Sequence, residues 1–137
     1  MVRISSRLFR VTRQHTAVDN VLERSVVEND KAQLLSHEQI LRVATDRTKV
    51  SKTLQQFTVD ARVGGSPNEN PRFIQQAEKR LKAAVIVFTT CAGSGLGIMR
   101  KVDFRNVLID EASQVTEPCA LIPLVKGCER AVLVGDQ

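Results

Sequence analysis

The apolar positions of the chain divide it into a helical first part and a strand-rich last part. Three short apolar runs near the C-terminal end do not alternate with polar residues: residues 85–88, 107–109 and 131–134. Such runs are typical of strands that are buried on both faces, in a parallel sheet covered by helices. The intervals between the runs are long enough for crossover connections. We therefore predict an α/β fold built on a parallel sheet.

The first part of the chain contains two amphipathic segments. A short β-prone segment, residues 7–12, precedes the first of them, and Thr16 is placed to cap the helix that begins there. A second helix is predicted over residues 34–44, because apolar residues recur in it at helical spacing. The polar residues 28–31 are expected to separate the two helices.

The middle of the chain is predicted to be a loop that leads into further helices. Residues 45–70 mix charged residues with the turn-forming stretch Gly-Gly-Ser-Pro-Asn at 64–68. A helix should begin at Asn70, because Asn caps helices and the proline that follows is tolerated in a first turn. Residues 116–125 are predicted to form a helix between the second and third apolar runs, with Gly127 as its stop.

Composition narrows the class of protein only a little. The 137 residues fit one domain and carry a net charge of +5, which favours polyanionic partners such as nucleic acid. Residues 1–13 contain four arginines and no acid, which is the composition of a mitochondrial presequence. This lead-in is interpreted either as targeting or non-native sequence or, over residues 7–12, as a strand.

Cysteine, histidine and hydropathy patterns give no sign of a metal site or a membrane segment. The three cysteines form no C-x-x-C pair and the two histidines lie far from them, so neither a disulfide framework nor a zinc site is indicated. Cys91 follows an apolar run, where a packed thiol is commoner than a nucleophile. The longest apolar run, residues 83–88, is far below the roughly 20 residues that cross a bilayer, so we expect no membrane partner.

Polar or small residues follow each of the three apolar runs. They are residues 89–95 after the first run, Asp110 and Glu111 after the second, and residues 135–137 after the third. Ligands of open parallel sheets bind beyond the carboxyl ends of the strands, so we expect these residues to converge. A buried carboxylate costs several kcal/mol unless something pairs with it, and a metal ion or a reacting water would provide that pairing.

The segment VLIDE has the form of a Walker B element. In such an element the first acid holds Mg²⁺, directly or through water, and the second polarises the attacking water. Asp110 is then the metal partner and Glu111 the general base, held in place by the end of the strand. The alternative is a strand that happens to end in two solvated acids.

Longer stretches of the chain resemble one family. Residues 107–137 resemble superfamily 1B helicases, in the branch that contains the nonsense-mediated-decay helicase and senataxin. Residues 85–99 resemble that branch's nucleic-acid-contacting segment, and residues 14–24 resemble its motif Ia without the usual Pro-Ser-Asn lead-in. The resemblance implies that residues 1–137 are part of a helicase motor domain with a three-layer RecA-like P-loop NTPase fold.

The resemblance also implies roles for residues outside the acid pair. Three residues would sense the nucleotide: Gln114, Gly135 and Asp136. Hydroxyls that would contact the backbone phosphates of a single strand belong to Thr16 and to Thr89 or Thr90. For any one of these threonines, a helix cap or a strand end is an equally good interpretation.

Two family motifs are not found in the sequence. The phosphate-cradling sequence G-x-x-x-x-G-K-S/T does not occur, and the third motif, Gly-Asp-x-x-Gln, stops one residue after Asp136. We therefore expect the RecA-like fold to lack its P-loop strand, whose place in the family is beside residues 131–134. An apolar edge left unpaired there would make the chain poorly soluble.

The resemblance implies an enzyme that couples Mg-ATP hydrolysis to movement along single-stranded RNA or DNA. For this chain alone we expect negligible ATP turnover, because the P-loop and the second motor domain are needed for activity. Alternatives are a non-catalytic remnant that binds nucleic acid or a protein, and an incomplete part of an intact helicase. An intracellular location, nuclear or cytoplasmic, is expected, with mitochondria as the alternative.

Overall fold

The computed structural model describes residues 7–136, in which five strands and four α-helices are joined by turns and short 3-10 helices. The strands are β1 (Leu8–Thr12), β2 (Ile40–Arg42), β3 (Ile86–Thr90), β4 (Asn106–Ile109) and β5 (Arg130–Leu133). The α-helices are α1 (His15–Ala32), α2 (Val59–Val63), α3 (Arg72–Ala83) and α4 (Glu117–Leu124).

The five strands form one parallel sheet in the order β2-β3-β1-β4-β5. The parallel sheet predicted from the apolar runs is thereby confirmed. β1 is the middle strand, and its Phe9 and Val11 are fully buried. Residues 8–12 thus form a strand, as one of the two interpretations predicted, and residues 1–6 of the lead-in lie outside the described residues.

Helices cover both faces of the sheet. On one face, α2, α3 and part of α4 pack over a core that includes Phe9, Val87 and Ile109. On the other face, α1 packs over Ile40 and Phe88. The result is the three-layer α/β architecture expected of a RecA-like fold.

Helix α1 starts earlier and ends later than its sequence predicts. Its N-cap residue is Gln14, so Thr16 lies in the first turn and does not cap the helix as predicted. The chain turns into the helix directly after β1, because the Thr12 hydroxyl donates to the Gln14 carbonyl at 3.0 Å. The predicted break at residues 28–31 is also wrong, since Glu28 and Lys31 are good helix formers and pair across one turn at 2.8 Å.

The helix predicted over residues 34–44 is absent from the structure. Those residues form a 3-10 turn, His37–Gln39, followed directly by β2. A capping box between Ser36 and Gln39 closes the turn. Ile40 and Leu41 are then buried on opposite faces of the sheet, in a strand too short to leave a period-2 pattern.

The segment predicted as loop, residues 45–70, carries more structure than expected. It contains two 3-10 helices and α2, and it buries Leu54 and Phe57 against the face covered by α1. The predicted turn is present, because Gly64 ends α2 in the left-handed conformation, with φ of 80°. The predicted helix after Asn70 is α3, in which the Asn70 side chain accepts from the backbone of Arg72 at 3.0 Å.

Strand β5 lies at the sheet edge and is exposed along its whole length. The prediction that all three apolar runs are buried on both faces is therefore wrong for residues 131–134. Val132 and Leu133 are 54% and 59% exposed. The side chains of β5 are exposed because β5 is the edge strand, which among residues 7–136 has a neighbouring strand on one side only. The preceding helix, α4, begins after Thr116 as predicted.

Candidate active site

All five strands are parallel, so their carboxyl ends lie along one edge of the sheet, here called the C-terminal rim. At this rim the ends of β4 and β5 are joined by backbone hydrogen bonds, from Val134 to Ile109 at 2.9 Å and from Ala112 to Val134 at 2.8 Å. A cleft of about 460 Å³ opens between them, here called the Asp110 cleft. Its lining residues are Asp110, Glu111, Ser113, Gln114, Val134, Gly135 and Asp136.

The Asp110 cleft contains five residues predicted from the sequence: Asp110, Glu111, Gln114, Gly135 and Asp136. Thr89 and Thr90 are the last two residues of β3, which is separated from β4 by β1. The predicted convergence at one rim is therefore confirmed, but only the second and third strand ends meet in the Asp110 cleft. The chain order of the apolar runs could not show that an N-terminal strand is inserted between them.

The Asp110 carboxylate is held at both oxygens. Oδ1 accepts a hydrogen bond from the Glu111 amide at 3.1 Å, and Oδ2 lies 3.4 Å from Nη2 of Arg10. The backbone of Asp110 donates to the Val11 carbonyl at 2.9 Å, which ties the end of β4 to β1. Asp110 is thus a partly buried acid in a fixed position, which is what a metal partner requires.

Glu111 has a strained backbone. Its φ of 54° and ψ of 39° place it in the left-handed region, which residues with a Cβ seldom occupy. A residue held in this conformation lowers the stability of the fold by about 1 kcal/mol or more, and such residues occur preferentially at functional sites. The Glu111 side chain is exposed at the cleft, and within residues 7–136 no ion pair engages its carboxylate.

Gly135 lies so close to the backbone of the acidic segment that a side chain at this position would be a tight fit. A Cβ at this position would lie 3.0 Å from the Ser113 nitrogen and 3.1 Å from the Ala112 nitrogen. Contacts that short force a shift of backbone atoms. The glycine therefore lets β5 close the cleft against the turn after Glu111.

The carboxylate oxygens at the cleft suit a Mg²⁺ ion whose remaining ligands come from water and a bound phosphate compound. No group of three or more His, Cys, Asp or Glu side chains among residues 7–136 is arranged to hold a metal ion without help. Mg²⁺ commonly takes only one or two carboxylates, with water and substrate phosphates completing its shell. Asp110, with Asp136 on the facing strand end, fits that pattern.

The three threonines predicted to contact nucleic acid differ in accessibility. Thr16 is exposed in the first turn of α1. Thr89 is fully buried and its hydroxyl donates to the Val43 carbonyl at 2.8 Å, while the Thr90 hydroxyl accepts from the Gly93 amide at 2.9 Å. A phosphate contact by Thr89 would therefore require its bond to Val43 to break, and one by Thr90 would require the turn after β3 to shift.

Arg10 is the residue at this site that the sequence interpretation missed. It lies in β1, pairs with an acid 100 positions away, and is 29% exposed. The sequence feature that could have identified it is an arginine inside an otherwise apolar strand, because a buried charge needs a partner of opposite charge. Such a signal identifies the need for an acid but not which acid supplies it.

A second buried arginine lies farther along the rim. Arg42, at the end of β2, is fully buried and donates to Asp19 of α1 at 3.1 Å and to the Val43 carbonyl at 2.7 Å. Its Nη2 lies 3.2 Å from Nδ1 of His15. Burial, followed by the charge of Arg42, lowers the pKa of His15. This network fixes the start of α1 to the sheet.

Cys91 is a packed thiol, as predicted. It is 1% exposed, and burial raises the pKa of the thiol to about 11. A thiol with so high a pKa is almost entirely protonated near neutral pH and is a poor nucleophile.

None of the helices within residues 7–136 combines the length and the apolar character needed to span a membrane.

Comparison with known proteins matches the region that carries the cleft. A family model described as an AAA domain matches residues 69–137, just over half of the chain. The Regulator of nonsense transcripts 1 homolog of Neurospora crassa is 40% identical over 117 residues, which are 82% of this chain and 10% of that protein.

Two further relatives match shorter segments. The ATP-dependent helicase upf1 of Schizosaccharomyces pombe is 50% identical over 64 residues, 46% of this chain and 7% of the relative. The probable helicase MAGATAMA 3 of Arabidopsis thaliana is 47% identical over 58 residues, 41% of this chain and 7% of the relative. The chain thus spans a tenth or less of the length of these curated relatives. It belongs to the AAA domain family, in the superfamily 1 branch of helicases of the nonsense-mediated-decay type.

Proposed function

We propose that this chain supplies the Walker B part of an ATP-dependent helicase that couples Mg-ATP hydrolysis to movement along single-stranded RNA or DNA. The observation that carries the proposal is the Asp110 cleft, in which two adjacent acids and Asp136 meet between two parallel strand ends. The similarity to the Schizosaccharomyces pombe ATP-dependent helicase supports it.

In this proposal the two adjacent acids have different tasks. Asp110 is the metal partner, because its carboxylate is partly buried and its position is fixed by the Glu111 amide and by β1. Glu111 is the general base, because its exposed carboxylate is free to accept a proton from an attacking water. Bound Mg²⁺ would neutralise the charge that develops on the transferred phosphoryl group.

The remaining predicted residues have supporting roles in the proposal. Gln114, Gly135 and Asp136 respond to the nucleotide, since they line the same cleft as the acids. Among the threonines, the exposed Thr16 is the one placed to contact a backbone phosphate without rearrangement, whereas Thr89 and Thr90 would first have to release the hydrogen bonds that their hydroxyls make within the fold. The net charge of +5 favours binding of a polyanion.

Binding of Mn²⁺, a paramagnetic substitute for Mg²⁺, tests the division of tasks. With a non-hydrolysable ATP analogue present, we expect electron paramagnetic resonance to detect bound Mn²⁺ in the wild-type chain and in Glu111→Gln. Asp110→Asn should lose at least tenfold in affinity, because it removes the charged ligand. Equal Mn²⁺ binding by wild type and Asp110→Asn would overturn the assignment of Asp110.

The chain by itself is proposed to hydrolyse ATP at a negligible rate. Its sequence contains no P-loop glycine–lysine motif to cradle the β and γ phosphates, and preorganised contacts to those phosphates supply most of the catalysis in such enzymes. A phosphate-release assay should therefore give background turnover for wild type and for Glu111→Gln alike. Mg²⁺-dependent turnover that disappears in Glu111→Gln would contradict the expectation.

The second candidate is a non-catalytic module that holds nucleic acid or a partner protein. The observation that favours it is the positive charge combined with the missing P-loop sequence. Such a module would bind single strands in a salt-sensitive manner that nucleotide does not change. In both cases we propose an intracellular site of action, nuclear or cytoplasmic.

A further inference from the structure

We propose that Arg10 competes with divalent metal for Asp110, so that a metal ion binds there weakly by itself and more tightly together with a phosphate anion. The inference rests on the proposed function, because it takes Asp110 as the metal partner.

The position of Arg10 follows from the register of the sheet. Arg10 of β1 lies opposite Leu108 of β4, so its side chain is on the same face as Asp110, which is two residues farther along the chain, directly after β4. Its Nη2 donates to Oδ2 of Asp110 at 3.4 Å, and the two side chains are 29% and 23% exposed. Its Nε is buried without a hydrogen-bond partner. Among residues 7–136, the Asp110 carboxylate is thus the one acid that engages this guanidinium.

A metal ion and the guanidinium compete for the same carboxylate. Oδ1 of Asp110 already accepts from the Glu111 amide, so Oδ2 is the less occupied oxygen for a cation, and Arg10 lies against it. A divalent ion arriving at Oδ2 must displace the guanidinium or accept a positive charge a few ångströms away. Because both side chains are mostly shielded from solvent, salt screens that repulsion less than it would at an open surface.

A phosphate anion removes the conflict. The planar guanidinium carries five donors that match phosphate oxygens, and it binds phosphate about as readily as carboxylate. An anion that takes over Arg10 frees Oδ2 for the metal and adds its own negative charge beside it. By linkage, the anion then tightens metal binding by the same factor by which the metal tightens anion binding.

A titration with Mn²⁺ alone, followed by one with inorganic phosphate present, tests the inference by electron paramagnetic resonance. Arg10→Met should bind Mn²⁺ more tightly than wild type, by up to about fivefold, because a partly exposed pair of this kind is worth up to about 1 kcal/mol. Arg10→Lys keeps the charge and should fall between the two. Phosphate should tighten Mn²⁺ binding to wild type and leave Arg10→Met nearly unchanged.

Two controls separate competition from general effects of charge or folding. Arg100→Met removes the same charge from an exposed residue that does not line the cleft, and it should leave Mn²⁺ binding unchanged. In an Asp110→Asn background, Arg10→Met should have no effect on Mn²⁺ binding, because the contested oxygen has lost its charge.

The outcomes distinguish this inference from the function on which it rests. If Asp110→Asn abolishes Mn²⁺ binding while Arg10→Met binds as wild type does, or more weakly, Arg10 does not compete and the inference fails alone. If Asp110→Asn binds Mn²⁺ as wild type does, the metal assignment fails and the role of Arg10 fails with it.

Discussion

At the scale of single residues, the site depends on a backbone conformation as much as on side chains. Glu111 adopts the left-handed conformation, with φ of 54°, so the chain can turn from β4 into the 3-10 helix Ala112–Gln114. That turn brings the Ala112 amide within 2.8 Å of the Val134 carbonyl and closes the Asp110 cleft. Any residue with a Cβ at position 111 lowers the stability of the fold. The function of the carboxylate is a reason for a glutamate to occupy this position nevertheless.

Substitution of Glu111 tests this cost directly. Glu111→Gly and Glu111→Ala both remove the carboxylate, but only glycine adopts the left-handed conformation without strain. We expect the free energy of unfolding of Glu111→Gly to exceed that of Glu111→Ala by about 1 kcal/mol, measured by urea denaturation. A glycine variant less stable than the alanine variant would show that the backbone of Glu111 is not strained.

Some site residues could be predicted from the sequence and others could not, for a physical reason. Asp110 and Glu111 follow their strand directly, so a local pattern was sufficient to find them. Arg10 meets Asp110 only because the sheet pairs β1 with β4, across 100 positions of sequence. The burial of the Thr89 hydroxyl likewise depends on the Val43 carbonyl of another segment, which no local pattern shows.

At the scale of secondary-structure elements, β5 is the least protected part of the sheet. Its backbone pairs with β4 on one side, and Val132, Leu133 and Val134 are about half exposed. An apolar edge strand with free donors and acceptors can pair with another chain. The element that carries Gly135 and Asp136 to the cleft is therefore also the element most prone to association.

A charge on β5 should reduce self-association of the chain. Val132 and Val27 are similarly exposed, at 54% and 48%, but Val27 lies on helix α1, away from the edge. We expect Val132→Lys to lower the particle size measured by light scattering at high protein concentration, and Val27→Lys to leave it unchanged. A wild-type chain that stays monodisperse and monomeric at the same concentration would contradict this account of the edge.

A helix or strand is predictable from the sequence when its segment is long enough to show a pattern and when pairing with distant strands does not decide its conformation. Helix α3 and strand β4 were predictable, because each has a strong local pattern and a polar or turn-forming boundary. Strand β2 is not predictable in this way, because three residues give too short a pattern and pairing with β3 decides their conformation. Helix α1 extends beyond its predicted end, because polar residues at 28–31 continue a helix as well as they interrupt one.

At the scale of the whole molecule, the fold brings distant segments to one edge. The parallel sheet directs every strand end to the C-terminal rim, and the order of strands decides which ends become neighbours. β4 and β5 are adjacent and form the Asp110 cleft, whereas β1 separates β3 from them. The sequence predicts that the strand ends meet at one rim but not the order of the strands. No local sequence pattern shows that β1 lies between β3 and β4.

Mapping of Mn²⁺ by nuclear magnetic resonance tests the central claim most directly, because it reports where a divalent ion binds. In a ¹⁵N spectrum of the chain with a non-hydrolysable ATP analogue, bound Mn²⁺ should broaden the amide signals of residues 110–114 and 134–136 first. Asp110→Asn should abolish that selective loss, and Val27→Lys should not. Broadening that is centred elsewhere, or that persists in Asp110→Asn, would contradict the assignment of Asp110 and Glu111 to a magnesium nucleotide.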